Sequence, residues 1–399
     1  MCYNSIIKLK NTRRIPMITA NLPEYMHCYP TVMAAAKSYF VFVPFDGEVI
    51  MWVTVKDKTY YDDCNGIFRS NTRMHKVEIP CKVLDAAGEY TVHYIKMIDR
   101  RPYFPLSEEE RSLTVSFRPV PTDREINIYH IADAHNLVAE PVAAGRYFGD
   151  KIDLLVLNGD IPNHSGDIEN FNAIYEIASA ITGGSCPVVF ARGNHDTRGI
   201  HAEDMPNFIP TVNGKTYYTF RVGSIWGLIL DCGEDKIDGH PEYGVTVCFH
   251  QFRLAETEFI KQVIENAKDE YEADGVEHKL VVCHLVFTNT YEPPFDIEQD
   301  TYSEWARLLR EEIKPDLMLC GHEHHTNIYY KGCAADHKGQ PCPVIIGSRP
   351  IFPNKEKNRP AGFVGCALTL TKDKTANVVF NDHNGNTVKE ETIYFTKEQ

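Results

Sequence analysis

Five apolar runs after residue 125 of this 399-residue chain end in the same way. "INIYHIADAH" runs out into Asp133 and His135, and "IDLLVLNGD" into Asp160. "PVVFARGNHD" ends in Asn194, His195 and Asp196, "KLVVCH" in His284, and "DLMLCGHEHH" in His322, His324 and His325. Each run has the length of a strand. Between and around them lie segments of helical period: 137–148, 168–181, "QFRLAETEFIKQVIENAKDEY" and "SEWARLLREEI". Strands that alternate with helices mark an α/β domain. In such domains ligands bind at the edge formed by the strand ends. The fold is therefore expected to gather these residues along one sheet edge. A lone histidine after a strand is usually a surface or core residue; five polar tips in succession demand a common reason.

The residue types suggest one. Two divalent cations held about 3.5–4 Å apart need a bridging carboxylate among their ligands. Carboxylate with imidazole suits Mn, Fe or Zn better than Ca or Mg. The tips carry no thiolate ligand, which speaks against a structural zinc site. Pairs spaced i, i+2, such as Asp133/His135 and His322/His324, share one side of an extended segment. Glu323 and His325 should then point the other way, leaving His325 outside the ligand set.

The first part of the chain has a different rhythm. "SYFVFVPF", "GEVIMWVTVK", "RMHKVEIP", "EYTVHYIKMI" and "LTVSFRPV" are strand-like runs divided by Asp, Asn, Gly and Pro. Residues 1–122 are expected to form an all-β sandwich and residues 123–399 the α/β domain. In "LDAAGEY", Leu84 stands six residues before Tyr90 at a strand entrance. That resembles the tyrosine corner of fibronectin type III and immunoglobulin-like sandwiches, whose phenol bonds to nearby backbone. In the longest helical segment, Phe252, Ala255, Phe259, Val263 and Ala267 share a face, the one expected to be buried. Past residue 340 the chain is mainly strand-like again.

Charge narrows the partners. With 41 Lys and Arg against 55 Asp and Glu, the net charge is −14, which disfavours a nucleic-acid binder. The twelve cysteines include no CxxC pair and read as free thiols of a reducing compartment. The polar start "MCYNSIIKLKNTRR" is unlike a signal peptide, and no apolar run approaches the roughly 18 residues of a membrane span. A cytoplasmic protein without membrane contact is expected; oligomeric state is left open.

The ordered set "DAH" (133–135), "GD" (159–160), "GNHD" (193–196), His284 and "GHEH" (321–324) resembles the calcineurin-like metallophosphoesterase superfamily over residues 125–380. The resemblance implies a four-layer α/β/β/α sandwich with a dinuclear site at the strand ends. It implies one metal on Asp133, His135 and His324, a second on Asn194, His284 and His322, and Asp160 bridging both. His195 would stand by the leaving group or a phosphoryl oxygen, with Asp196 able to orient it. A β-sandwich preceding such a domain is the layout of purple acid phosphatases. Those enzymes carry a tyrosine ligand at GDxxY, where this chain has Asn163, and a non-ligating residue where it has His135. Their mixed-valent iron chemistry is therefore not carried over.

The implied reaction is hydrolysis of a phosphate mono- or diester with two divalent or trivalent Mn, Fe or Zn ions. Arg198 is a candidate phosphate contact because of its forked donors; Arg349 is a weaker one. The inserts 197–216, 233–250 and 285–303 hold tyrosines, phenylalanines and acidic residues but few cations. They suit a small phosphorylated substrate with an aromatic or sugar part. The competing readings are a nuclease, which would want a basic groove, and a non-catalytic binding scaffold, which would show eroded ligand positions.

Overall fold

The computed structural model describes residues 22–395; the polar N-terminal stretch lies outside the described residues. The apolar runs become buried strands, and their alternate side chains sort them into layers. In His278–Cys283, Leu280 and Val282 join a core shared with the strands Ile126–Ile131 and Leu154–Asn158. Val281 and Cys283 join a second core with Ile260 of helix Phe249–Glu265 and Trp305 of helix Gln299–Leu308. A period of two places successive side chains on opposite faces, so a strand apolar throughout must be covered on both. The other large sheet is covered by the helices Ala139–Gly145 and Asn172–Thr182. The result is helices, sheet, sheet, helices.

One sheet has ten strands. Its order is Thr387–Tyr394, Thr375–Asp382, Gly362–Leu370, Ile126–Ile131, Leu154–Asn158, Val188–Ala191, Thr31–Ala35, Ser38–Pro44, Met74–Pro80, with Arg349–Ile351 also pairing Gly362–Leu370. The other runs Tyr218–Val222, Ile225–Leu230, His278–Cys283, Leu317–Cys320, Val344–Gly347, Thr326–Tyr329. The strands that carry the polar tips are parallel neighbours within each sheet.

The N-terminal region is a β-sandwich. Val49, Met51, Val53 and Val55 alternate inward from a four-stranded sheet and pack against Thr31–Ala35, Ser38–Pro44 and Met74–Pro80. Residue 122 marks a change in chain rhythm but no gap in packing. Thr31–Ala35 pairs in parallel with Val188–Ala191, through Met33 and Val188, so the ten-stranded sheet and one apolar core run across both regions. This strand, "TVMAA", has little β propensity and was not legible; pairing on both sides holds it. The short helix Cys81–Ala87, closed by Gly88 at φ 71°, was also not expected.

Tyr90 departs from the corner it resembles. Its hydroxyl donates to the carbonyl of Gly184, 94 residues away, at 3.0 Å, and so ties the sandwich to the α/β region. Tyr90→Phe should cost about 1–2 kcal/mol, because a buried carbonyl loses its donor. A chemical-denaturation midpoint measures this; an unchanged midpoint would show that the tie carries no stability.

The helix Phe249–Glu265 buries Phe249, Arg253, Glu256, Thr257, Ile260 and Val263, while Ala255 of the expected face is exposed. The buried charges have a use. Arg253 donates to the carbonyls of Cys232, at 2.7 Å, and of Glu234, and Glu256 accepts from the Asp231 amide at 2.8 Å. They fasten the start of the 233–250 insert, which hydrophobic periodicity cannot reveal.

All eleven cysteines among the described residues are free. No helix among the described residues is long and apolar enough to cross a membrane.

Candidate metal centre

The polar tips meet, but along two sheet edges rather than the expected one. Asp133, His135, Asp160 and Asn194 come from three neighbouring strands of the ten-stranded sheet. His284, His322 and His324 come from two neighbouring strands of the facing sheet. Nor are the tips extended. Asp133, His135, Asp160, His322 and His324 have φ of 56°, 45°, 52°, 69° and 52°. Left-handed backbone at residues with a β-carbon costs about 1–3 kcal/mol each and gathers at functional sites. Here the site's own hydrogen bonds hold it. The Asp133 carboxylate accepts from the His322 amide at 2.9 Å, and the Asp160 carboxylate accepts from the His195 amide at 2.8 Å. His322 and His324 do turn inward, by this alternation of backbone hand and not by extended geometry.

The glycines of the motifs make room. A β-carbon on Gly159, at φ 76°, would stand 2.6 Å from both Gly193 and the His284 ring; one on Gly193 would stand 2.3 Å from the Asp160 carboxylate.

His135 Nε2 and His324 Nε2 lie 3.0 Å apart, with Asp133 Oδ1 3.5 Å from the latter. Asp160 Oδ2 is 3.3 Å from His284 Nε2 and 3.8 Å from His135 Nε2. His322 Nδ1 is 3.1 Å from Asn194 Oδ1. Asp133, His135 and His324 can offer one atom each to a common ion, as can Asp133, Asp160 and His284. His325 is outside: its Nε2 meets Tyr329 at 3.1 Å and Glu323 at 3.3 Å. His201, His240 and His250 pair with Asp204, Glu242 and Glu298.

Electrostatics fit a cation. Burial lowers His135 to about 3 and His322 to about 4, and lowers His324 too, so these rings are neutral, the form that binds metal. Burial opposes charge on His284, yet the Asp160 and Asp133 carboxylates outweigh it and raise the ring to about 10. Positive charge belongs at this spot, as a proton or as a cation. Its Nδ1 is spent on the Asn158 carbonyl at 2.7 Å, while buried Nε2 has no hydrogen-bond partner. Burial and repulsion from Asp160 raise Asp133 to about 7. Despite burial, the neighbouring His284 holds Asp160 below the ordinary carboxylate range. Imidazole, carboxylate and one amide, with no thiolate, is a donor set for first-row transition ions.

Two expected roles change. Asp196 does not orient His195. Its Oδ2 accepts from the amides of Gly193 at 2.7 Å and Asp160 at 3.2 Å, pinning the turn that carries Asn194. The His195 ring is held instead by the Asn163 carbonyl, 2.9 Å from Nδ1. Arg198 is not a free phosphate contact. Its fork is closed on Glu234, with Nε–Oε1 at 2.9 Å and Nη2–Oε2 at 2.8 Å. Its Nη1 lies 3.3 Å from His195 Nε2. A guanidinium only donates, so His195 accepts at Nε2 and carries its proton on Nδ1. Arg349 is exposed at the head of strand Arg349–Ile351.

Sequence reading missed Glu234 and Asp235, although "IWGLILDCGED" is a sixth apolar run with a polar tip. Asp235 Oδ2 comes within 4.0 Å of His322 Nε2. It also missed Phe352, whose ring centroid is 5.6 Å from His135 and 6.0 Å from His324.

Comparison with known proteins assigns the motifs to a family. The family model of calcineurin-like phosphoesterases matches residues 126–326, which spans all five motifs. No curated protein matches the sequence significantly. Among solved structures, a purple acid phosphatase from yellow lupin (Lupinus luteus) seeds is similar with TM-score 0.57 and 15% identity, over 92% of this chain and 74% of that one. The structure of PhoD is similar with TM-score 0.51 and 12% identity, over 94% of each chain. At such identities the likeness concerns the fold.

Proposed function

This chain belongs to the calcineurin-like phosphoesterase family, and from that membership we propose that it hydrolyses phosphate mono- or diesters of a small substrate at a dinuclear transition-metal site. The observation that most supports this is the buried His284 Nε2, unpartnered and aimed at the Asp160 and Asp133 carboxylates amid converging neutral imidazoles. In this reading Asp133, His135 and His324 would hold one ion and Asn194, His284 and His322 the other, with Asp160 shared. Mn, Fe or Zn bound there supplies charge to the phosphoryl oxygens and acidifies water.

The chain's own residues do the rest. Asp160 and Asp133 bring negative charge to the cluster and brace the backbone of His195 and His322. His195, anchored at Nδ1, presents Nε2 beside His135, with ring centroids 4.7 Å apart. With the Arg198 contact at Nε2 opened, a proton taken there from water would pass to the departing oxygen. Arg198, fixed by Glu234, sets the direction of that ring. The acidic net charge of −14 favours a small ester over a polynucleotide.

Turnover of p-nitrophenyl phosphate and bis-p-nitrophenyl phosphate after loading with Mn, Fe or Zn, against a chelated control, tests the proposal. Metal-dependent release of nitrophenol from at least one is expected; none from either contradicts it. His195→Ala should keep its metal and lose about 10²–10⁴-fold in rate, the scale of a general acid. Metal counts beside the rates check this, and an emptied site would make His195 a ligand.

A further inference from the structure

We infer that the substrate's organic group is aromatic or otherwise apolar and lies against the ring of Phe352, which makes Phe352 a specificity-determining residue. The inference rests on the phosphoesterase reading and names its substrate class. Phe352 follows strand Arg349–Ile351 and packs edge-on against His135, leaning on His324. Yet 38% of the residue stays exposed. Its place against the two imidazoles, with part of the residue uncovered, leaves apolar surface next to the cluster.

The flank near His322 also carries an exposed ring. Phe295 is 39% exposed and lies 4.7 Å from Lys236 Nζ. Lys236 bonds to Asp235 at 2.8 Å, and Asp235 reaches toward His322. Ile237, the next residue, is 62% exposed. The cations on this flank are already neutralised: Arg198 by Glu234, and Lys236 by Asp235 and Glu242. On this flank a second phosphate or carboxylate would meet the carboxylates that hold these cations, while beside Phe352 the Arg359 guanidinium donates to the Phe352 carbonyl. Exposed rings at Phe352 and Phe295 thus stand near the cluster, surface of the kind that an apolar substituent covers.

Phenylphosphonate and methylphosphonate test this, because neither is an ester and both present the same anionic head. Their affinities for the metal-loaded protein are read by calorimetry and by competition with p-nitrophenyl phosphate. Phenylphosphonate should bind about 3–10-fold tighter, the range of one aromatic contact. Phe352→Ala should bring the ratio close to one, the loss falling on phenylphosphonate, while Phe352→Leu should keep part of it. Equal affinities in the natural protein, or a ratio untouched by Phe352→Ala, would overturn the inference while ester turnover left the phosphoesterase reading standing. No binding of either phosphonate together with no turnover of any phosphate ester would overturn both.

Discussion

Asp160→Asn is expected to abolish turnover and metal retention together. The residue is 1% exposed, and one of its oxygens faces both halves of the site. Oδ1 accepts from the His195 amide at 2.8 Å, while Oδ2 stands 3.3 Å from His284 and 3.8 Å from His135. Asparagine has nearly the same shape, so the core around Gly193 is not disturbed. What changes is charge: one oxygen becomes an amide donor that cannot bridge two cations. The loss of metal affinity should exceed the roughly 10–100-fold typical of residues that only orient a ligand. Elemental analysis with a p-nitrophenyl phosphate assay measures both. If Asp160→Asn keeps a full metal complement, Asp160 is not shared between ions.

The histidines of "GHEHH" should separate sharply. His322→Ala removes the ring 3.1 Å from Asn194, and His324→Ala the ring 3.0 Å from His135. Each should deplete one ion, a different one in each variant, and stop turnover. His325→Ala removes a ring whose polar contacts among the described residues are with Glu323 and Tyr329. It should keep both ions and most activity. Metal counts and rates for the three variants, prepared identically, decide the matter. Equal damage from all three would contradict the assignment.

Much of the site was legible because strand ends and ligand chemistry both leave local marks. Five apolar runs with polar tips pointed to Asp133, His135, Asp160, Asn194, His284, His322 and His324, and the structure brings them together. Roles set by tertiary partners left no such mark. Asp196 turns to backbone amides, and Arg198 closes on Glu234 from a distant insert. The left-handed turns at the tips were hidden because Asp and His tolerate that backbone without requiring it. Thr31–Ala35 was missed because its partner Val188–Ala191 lies more than 150 residues away. The buried face of Phe249–Glu265 was misread because Arg253 and Glu256 are polar residues with interior partners. Asp235 had a visible signal, a strand end like the others, that went unused.

The central claim is a dinuclear site built from two facing sheets. Anomalous diffraction from metal-loaded crystals, with elemental analysis of the same sample, tests it most directly. Two peaks are expected per chain, one among Asp133, His135 and His324 and one among Asn194, His284 and His322, with Asp160 between them. A single peak, or none, in protein never exposed to chelator and supplied with Mn, Fe or Zn would contradict it.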